Sequence, residues 1–210
     1  MIIAGYGQST SEDTGEAFFQ AVTAAIEPFA GDEPEVVFLF GSGDHSREIE
    51  AGLAVAVDAA GTDRIVGCSG MGVLSILAEL EQRAGVVALA LGGDSIEAVP
   101  FVVPVEEAVE QITARLTPYT SESGLLCVFP TISVGHPGEM IEQLSESVGF
   151  PIVGAAASGS PMDSGTFQWL GNDVRSDGVS GVLLRGEFET FTGVAQGCQP
   201  FGQAYTITKA

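Results

Sequence analysis

Four short, predominantly apolar runs constrain this chain most: residues 36–40, 86–91, 125–129 and 179–184. Each has the length of a strand, and none shows the strict polar alternation of a sheet with one wet face. They therefore predict strands covered on both sides. Between them lie segments with helical periodicity. Phe18, Val22, Ile26 and Phe29 share one face with Ala21 and Ala25; Ile49, Leu53, Ala56, Val57 and Ala60 share another. Val105, Val109, Ile112 and Leu116 form a third face, and Met140, Ile141, Leu144 and Val148 a fourth. Ser9, Thr10 and Ser11 offer capping oxygens for the first helix, and Gly61 stops the second. Further strands are expected at 1–7, 64–67, 188–195 and 205–208, with an edge strand at 98–103, where Pro100 removes a ladder donor. Residues 166–170 and the turn Gly171-Asn172-Asp173 read as a hairpin, while 71–83 is ambiguous between helix and strand.

The order of these segments repeats. The run at 125–129 answers 36–40, and that at 179–184 answers 86–91, at an offset of about 90 residues. Phe40 precedes Gly67 by 27 positions and Phe129 precedes Gly154 by 25. The expected fold class is α/β, with duplicated strand–helix–strand halves related by a pseudo-two-fold. The preferred arrangement is two packed β-sheets flanked by helices, αββα-like; a single open doubly wound sheet is the alternative. The chain reads as one domain over 1–210, with halves of about 1–120 and 121–210.

Composition narrows the partners. There are 28 acidic residues against seven basic, a formal net charge of −21. Such a field repels nucleic acid and anionic membranes. It fits either an ordinary solvated acidic surface or a source with a salty cytoplasm. No apolar stretch is long enough to span a bilayer, and no secretory leader is visible at Met1. The three cysteines, Cys68, Cys127 and Cys198, are an odd number and widely spaced, which points to a reducing cytoplasm rather than to disulfides or zinc.

Four segments stand out in order and spacing. Three are Val66-Gly67-Cys68-Ser69-Gly70, Pro151-Ile152-Val153-Gly154-Ala155-Ala156-Ala157-Ser158 and Asp177-Gly178-Val179-Ser180-Gly181-Val182-Leu183-Leu184. The most distinctive is Gly193-Val194-Ala195-Gln196-Gly197-Cys198-Gln199-Pro200-Phe201-Gly202, followed by Thr206-Ile207-Thr208. Together they resemble the FIST N-terminal domain of sensory proteins. The resemblance implies a signal-transduction role in sensing a small ligand, an amino acid or related metabolite. It also implies a second, FIST C-terminal domain as partner, absent from this chain.

The candidate ligand-binding residues follow from the small-residue turns after the strands at 64–67 and 151–154. They are Cys68, Ser69, Gly70, Ser158 and Gly159, joined by the turn Gln196, Gly197 and Cys198. Small residues there leave room and bare backbone donors to a carboxylate. The competing reading is that these turns only pack the halves together. A cysteine-dependent hydrolase would need a base beside Cys68 or Cys198, and the only histidines are His45 and His136. Both stand in polar turn contexts, where solvated loop histidine is expected, and neither belongs to a Cys-x-x-Cys-His haem segment. The second turn lacks the Gly-Lys-Ser of a phosphate loop. The expectation is a binding domain, not an enzyme, with no cofactor and no metal. Its site would hold a small-molecule ligand; an interaction module is the alternative.

Overall fold

Strand β1 (Ile3–Ser9) leads to helix α1 (Thr14–Ile26), strand β2 (Val36–Ser42), helix α2 (Ile49–Ala60) and strand β3 (Ile65–Gly70). A small hairpin, β4 (Gly72–Leu74) and β5 (Glu79–Glu81), resolves the ambiguity at 71–83, and strand β6 (Val86–Gly92) follows. The chain then runs through strand β7 (Ile96–Pro104), helix α3 (Ala108–Leu116), strand β8 (Gly124–Pro130), helix α4 (Pro137–Val148) and strand β9 (Ile152–Gly154). A second hairpin, β10 (Gln168–Leu170) and β11 (Asp173–Arg175), precedes the last strand, β12 (Gly178–Gly186). The computed structural model describes residues 1–120, 123–132, 137–159 and 165–193, with Gly202, Thr206 and Thr208.

Local chemistry sets the helix ends. Asp13 caps α1, its Oδ1 accepting the Glu16 N–H at 2.8 Å. The Ser9 hydroxyl, offered by the sequence for that role, instead donates to Gln20 Oε1. Gly61 ends α2 in a left-handed conformation and returns its N–H to Val57 O, as expected.

Two sheets carry the fold. The first has the order β1-β6-β2-β3-β10-β11 and the second β7-β12-β8-β9. In each, a parallel pair, β2–β3 or β8–β9, is flanked by two antiparallel strands. The strand order first-fourth-second-third thus occurs twice once the two hairpins are set aside, as a duplicated chain requires. The four apolar runs are the two inner strands of each four-strand repeat, β6 and β2 in the first sheet and β12 and β8 in the second. Pro100 lies in β7, on an edge. The sheets divide the chain between Gly92 and Ile96 rather than near residue 120, because β7 and α3 belong to the second sheet.

Side chains alternate between two kinds of core. Val37 and Leu39 of β2 meet Phe18, Ala21 and Leu53 of α1 and α2. Leu126 and Val128 of β8 meet Ile112, Leu116 and Leu144 of α3 and α4. The intervening positions, Val36 and Phe38 with Cys127 and Phe129, fill the layer between the sheets together with Val66, Cys68, Val182 and Leu184. The four layers are helices, sheet, sheet and helices. Strands covered by helices on one side and a sheet on the other need no polar alternation. Polar side chains also cross this gap: the Ser180 hydroxyl donates to Gly67 O at 2.7 Å, and Gln168 Oε1 accepts the Gly178 N–H at 3.0 Å.

The β10–β11 hairpin was expected from sequence, but its destination was not. It leaves the second sheet's half of the chain and extends the first sheet, with Trp169 paired to Gly67 and fully buried among the α1 and α2 contacts. The strand expected at 188–195 does not form over its described part. Residues 188–193 are irregular and mostly exposed, since β12 has passed the end of β8 and reaches the end of β7 at Gly186. The strand expected at 205–208 falls largely outside the described residues, and Thr206 and Thr208 are not in a strand.

Candidate ligand-binding site

Strands β3 and β9 end at the same edge of the two sheets. Gly67 and Gly154 are required there by close approach. A Cβ on Gly67 would stand 1.8 Å from Leu39 O, and one on Gly154 1.9 Å from Val128 O, each the carbonyl of the neighbouring parallel strand. The two turns that follow meet. Ser69 Oγ donates to Ser158 O at 2.8 Å and accepts the Phe167 N–H at 2.9 Å. Ser158 N–H donates to Ser69 O at 3.0 Å, and Ser158 Oγ accepts the Met71 N–H at 2.8 Å. A knot of hydrogen bonds therefore joins both sheets, the β4–β5 hairpin and the approach to β10.

Beside this knot lies a cleft of about 310 Å³. Its lining includes Cys68, Ser69, Gly70 and Ser158, four of the residues singled out by sequence. Phe40 and Phe129 form an aromatic wall, edge to face at 5.0 Å between centroids, and Val73, Leu74, Val87, Ala155 and Ala156 supply the rest with Gly72. Gly159 adjoins the turn without lining the cleft, and Gln196, Gly197 and Cys198 lie outside the described residues. Sequence reasoning missed the aromatic wall. The available signal was positional: Phe40 and Phe129 stand at equivalent places in the two repeats, each as the last residue of its repeat's first apolar run.

Two expectations need correction. The Ser69 hydroxyl and the Ser69, Met71, Ala157 and Ser158 amides are not bared to a ligand carboxylate but bond within the protein; of the two serine hydroxyls, that of Ser158 keeps a proton without an acceptor among the described residues. The packing reading is thus right about contact, yet a cleft remains beside it. Second, His45 is no solvated loop residue. It is 1% exposed, because the turn at Gly43–Glu48 folds back over the start of α1. Its Nδ1 lies 3.0 Å from Thr14 Oγ1, and its ring packs on the edge of Phe18. His136 lies outside the described residues.

The thiols are electrostatically quiet. Burial pushes Cys68 and Cys127 up to about 12, which keeps both protonated near neutrality. The contact found for His45 is Thr14, not the Cys68 thiol. No group of three or more metal-binding side chains occurs among the described residues. Nor is any described helix long and apolar enough to cross a membrane. A broader depression of about 980 Å³ lies on the outer surface between α1 and α2, rimmed by Glu27, Asp32, Glu33 and Asp58; it gathers none of the turn residues.

Beside the cleft, the β4–β5 hairpin presents Met71, Leu74, Ile76 and Leu77 to solvent, the last three more than 70% exposed. Its turn is well built: Ser75 Oγ accepts the Leu77 and Ala78 N–H groups, and Val73 and Leu80 anchor it from below.

Comparison with known proteins places the chain in a family. The family model described as FIST N domain matches residues 35–210. The uncharacterized protein Rv0628c of Mycobacterium tuberculosis is 29% identical over 209 residues, covering 98% of this chain and 54% of that protein. The uncharacterized protein Mb0898c of Mycobacterium bovis is 28% identical over 219 residues, covering 98% and 53%. The chain spans about half the length of the curated relatives it matches. With most of its length matched, from the first central strand onward, the chain belongs to the FIST N domain family, whose members generally serve sensory signal transduction.

Proposed function

We propose that this domain senses a small metabolite bound in the cleft between the sheets and passes the signal to a partner. The observation that carries the reading is the cleft itself. It lies where turns from both halves converge, and four sequence-chosen residues line it. Its 310 Å³ is at the low end of the roughly 300–1,000 Å³ of ligand pockets. A ligand there would touch the knot that ties the sheets to two hairpins, so occupancy can alter their relative stability. The domain is read as a binder without catalysis of its own, in keeping with thiols held protonated by burial. The free thiols Cys68 and Cys127 support a cytoplasmic setting.

Thermal-shift measurements with amino acids, organic acids, neutral aromatics and haem test this reading. A true ligand stabilises the folded chain by mass action, by about 2.7 kcal/mol at a hundredfold excess over its dissociation constant, and so raises the melting temperature with concentration. The shift should vanish in Ala156→Trp, which fills the cleft from an exposed position. A set of ligands none of which gives a cleft-dependent shift counts against the reading.

The exposed aliphatic tip of the β4–β5 hairpin favours a second, compatible role in docking. Isolated large apolar residues are common on surfaces, but a tight, anchored turn presenting three of them is a contact surface. The proposed occupant is the second domain of a longer chain, since the relatives extend to about twice this length.

A further inference from the structure

We infer that the cleft selects an uncharged molecule with an apolar body, and that it discriminates against free amino acids. This inference rests on the small-ligand reading of the cleft and names the chemistry of its occupant.

The walls decide the class. Phe40, Phe129, Val73, Leu74, Val87 and the Ala155-Ala156 pair present carbon surface, and no Lys, Arg, His, Asp or Glu lines the cleft among the described residues. An amino acid brings a carboxylate and an ammonium. Either charge, moved from water against these walls without a counter-ion, loses hydration that nothing returns. Four amides of the turns, those of Ser69, Met71, Ala157 and Ser158, are already bonded within the knot and cannot replace that hydration. The surrounding field adds to the penalty for a carboxylate, with 28 acidic residues against seven basic.

What the walls do offer is aromatic and aliphatic contact plus one directional polar group. Ser158 Oγ accepts from Met71 N–H, and its own proton has no acceptor among the described residues, so it can donate to a neutral oxygen or nitrogen. Ser69 Oγ is spent in both directions. Leu74, which lines the mouth while 74% exposed, is the wall that an apolar occupant would cover. A ring-bearing alcohol, phenol, amide or heteroarene matches this pattern.

Matched pairs make the test, because each shares one ring and differs only in charge. Binding of indole against tryptophan, and of p-cresol against tyrosine, is measured on the whole chain by titration calorimetry and saturation-transfer NMR. The expected result is that each neutral member binds about tenfold or more tighter than its amino acid, and that Ala156→Trp abolishes the binding. Leu74→Trp, at an exposed lining position on the β4–β5 hairpin, serves as a second block should Ala156→Trp fold poorly. Tryptophan or tyrosine binding as tightly as its neutral partner, and lost in the blocked variants, overturns the uncharged class and leaves the small-ligand site standing. Absence of binding by all four, or binding that neither block affects, overturns the class and the site together.

Discussion

At Gly67 and Gly154 one steric demand recurs 87 positions apart: a neighbouring strand's carbonyl occupies the space of any side chain. Both glycines were visible in the sequence as the ends of repeated strands, but their reason was not, because it depends on which strand lies alongside. His45 shows the opposite case. Its neighbours in sequence, Asp44 and Ser46, are polar and suggest a wet loop, while burial is imposed by Thr14 and Phe18, some 30 residues away. Burial lowers its pKa below 6.5, against weaker opposing pulls from Asp44, Asp13 and Glu48, and its Nε2 has no partner among the described residues. The sign of the pH effect follows. The unfolded chain takes up the proton near pH 6.5 and the folded chain only at lower pH, so the neutral ring's stabilising share is intact above about 6.5 and shrinks as pH falls toward the folded value. Urea titrations from neutral to mildly acid pH should show stability declining through this window, with a shallower decline in His45→Gln. Parallel declines would remove His45 as a source of the pH dependence.

The central strands and all four helices were legible, because strand length, helical period and capping residues are local signals. The two hairpins mark where local signals stop. That 166–175 turns back on itself could be read from its Gly-Asn turn, whereas its pairing with β3 rather than with the second sheet is a tertiary choice. The β4–β5 hairpin gave no clear period because its aliphatics point both ways: Val73 and Leu80 inward, Leu74, Ile76 and Leu77 outward. This split yields a prediction. Replacing Leu74, Ile76 and Leu77 together by serine should change the stability of the chain by no more than about 0.5 kcal/mol per site, since all three stand mostly exposed among the described residues. The same variant should lose co-elution with a separately expressed FIST-type second domain. Retained co-elution removes the hairpin as the docking surface, and a large loss of stability would mean that the tip supports this fold rather than a partner.

Over the whole molecule the charge is the property most open to measurement. Seven basic residues cannot neutralise 28 acidic ones, and pairs such as Arg64 with Glu33 and Glu35 already use part of that supply. The folded state therefore holds like charges closer together than the unfolded chain does, and salt should relieve it. Melting temperatures should rise between low and molar potassium chloride; a flat response would leave the acidity as a solubility feature alone. The layered architecture was readable from the repeat, but the cleft was readable only by half, since small turn residues announce room and not the aromatic wall beside it. The path of β10 carries a further implication, one of time. On the ribosome, β3 emerges with its outer edge unpaired, and the strand that closes it, centred on Trp169, follows about 100 residues later. At about 5–20 residues per second that interval is roughly 5–20 s. For that long the first sheet exists as an open template, so the nascent chain, more than the finished protein, is the form that needs a chaperone's cover.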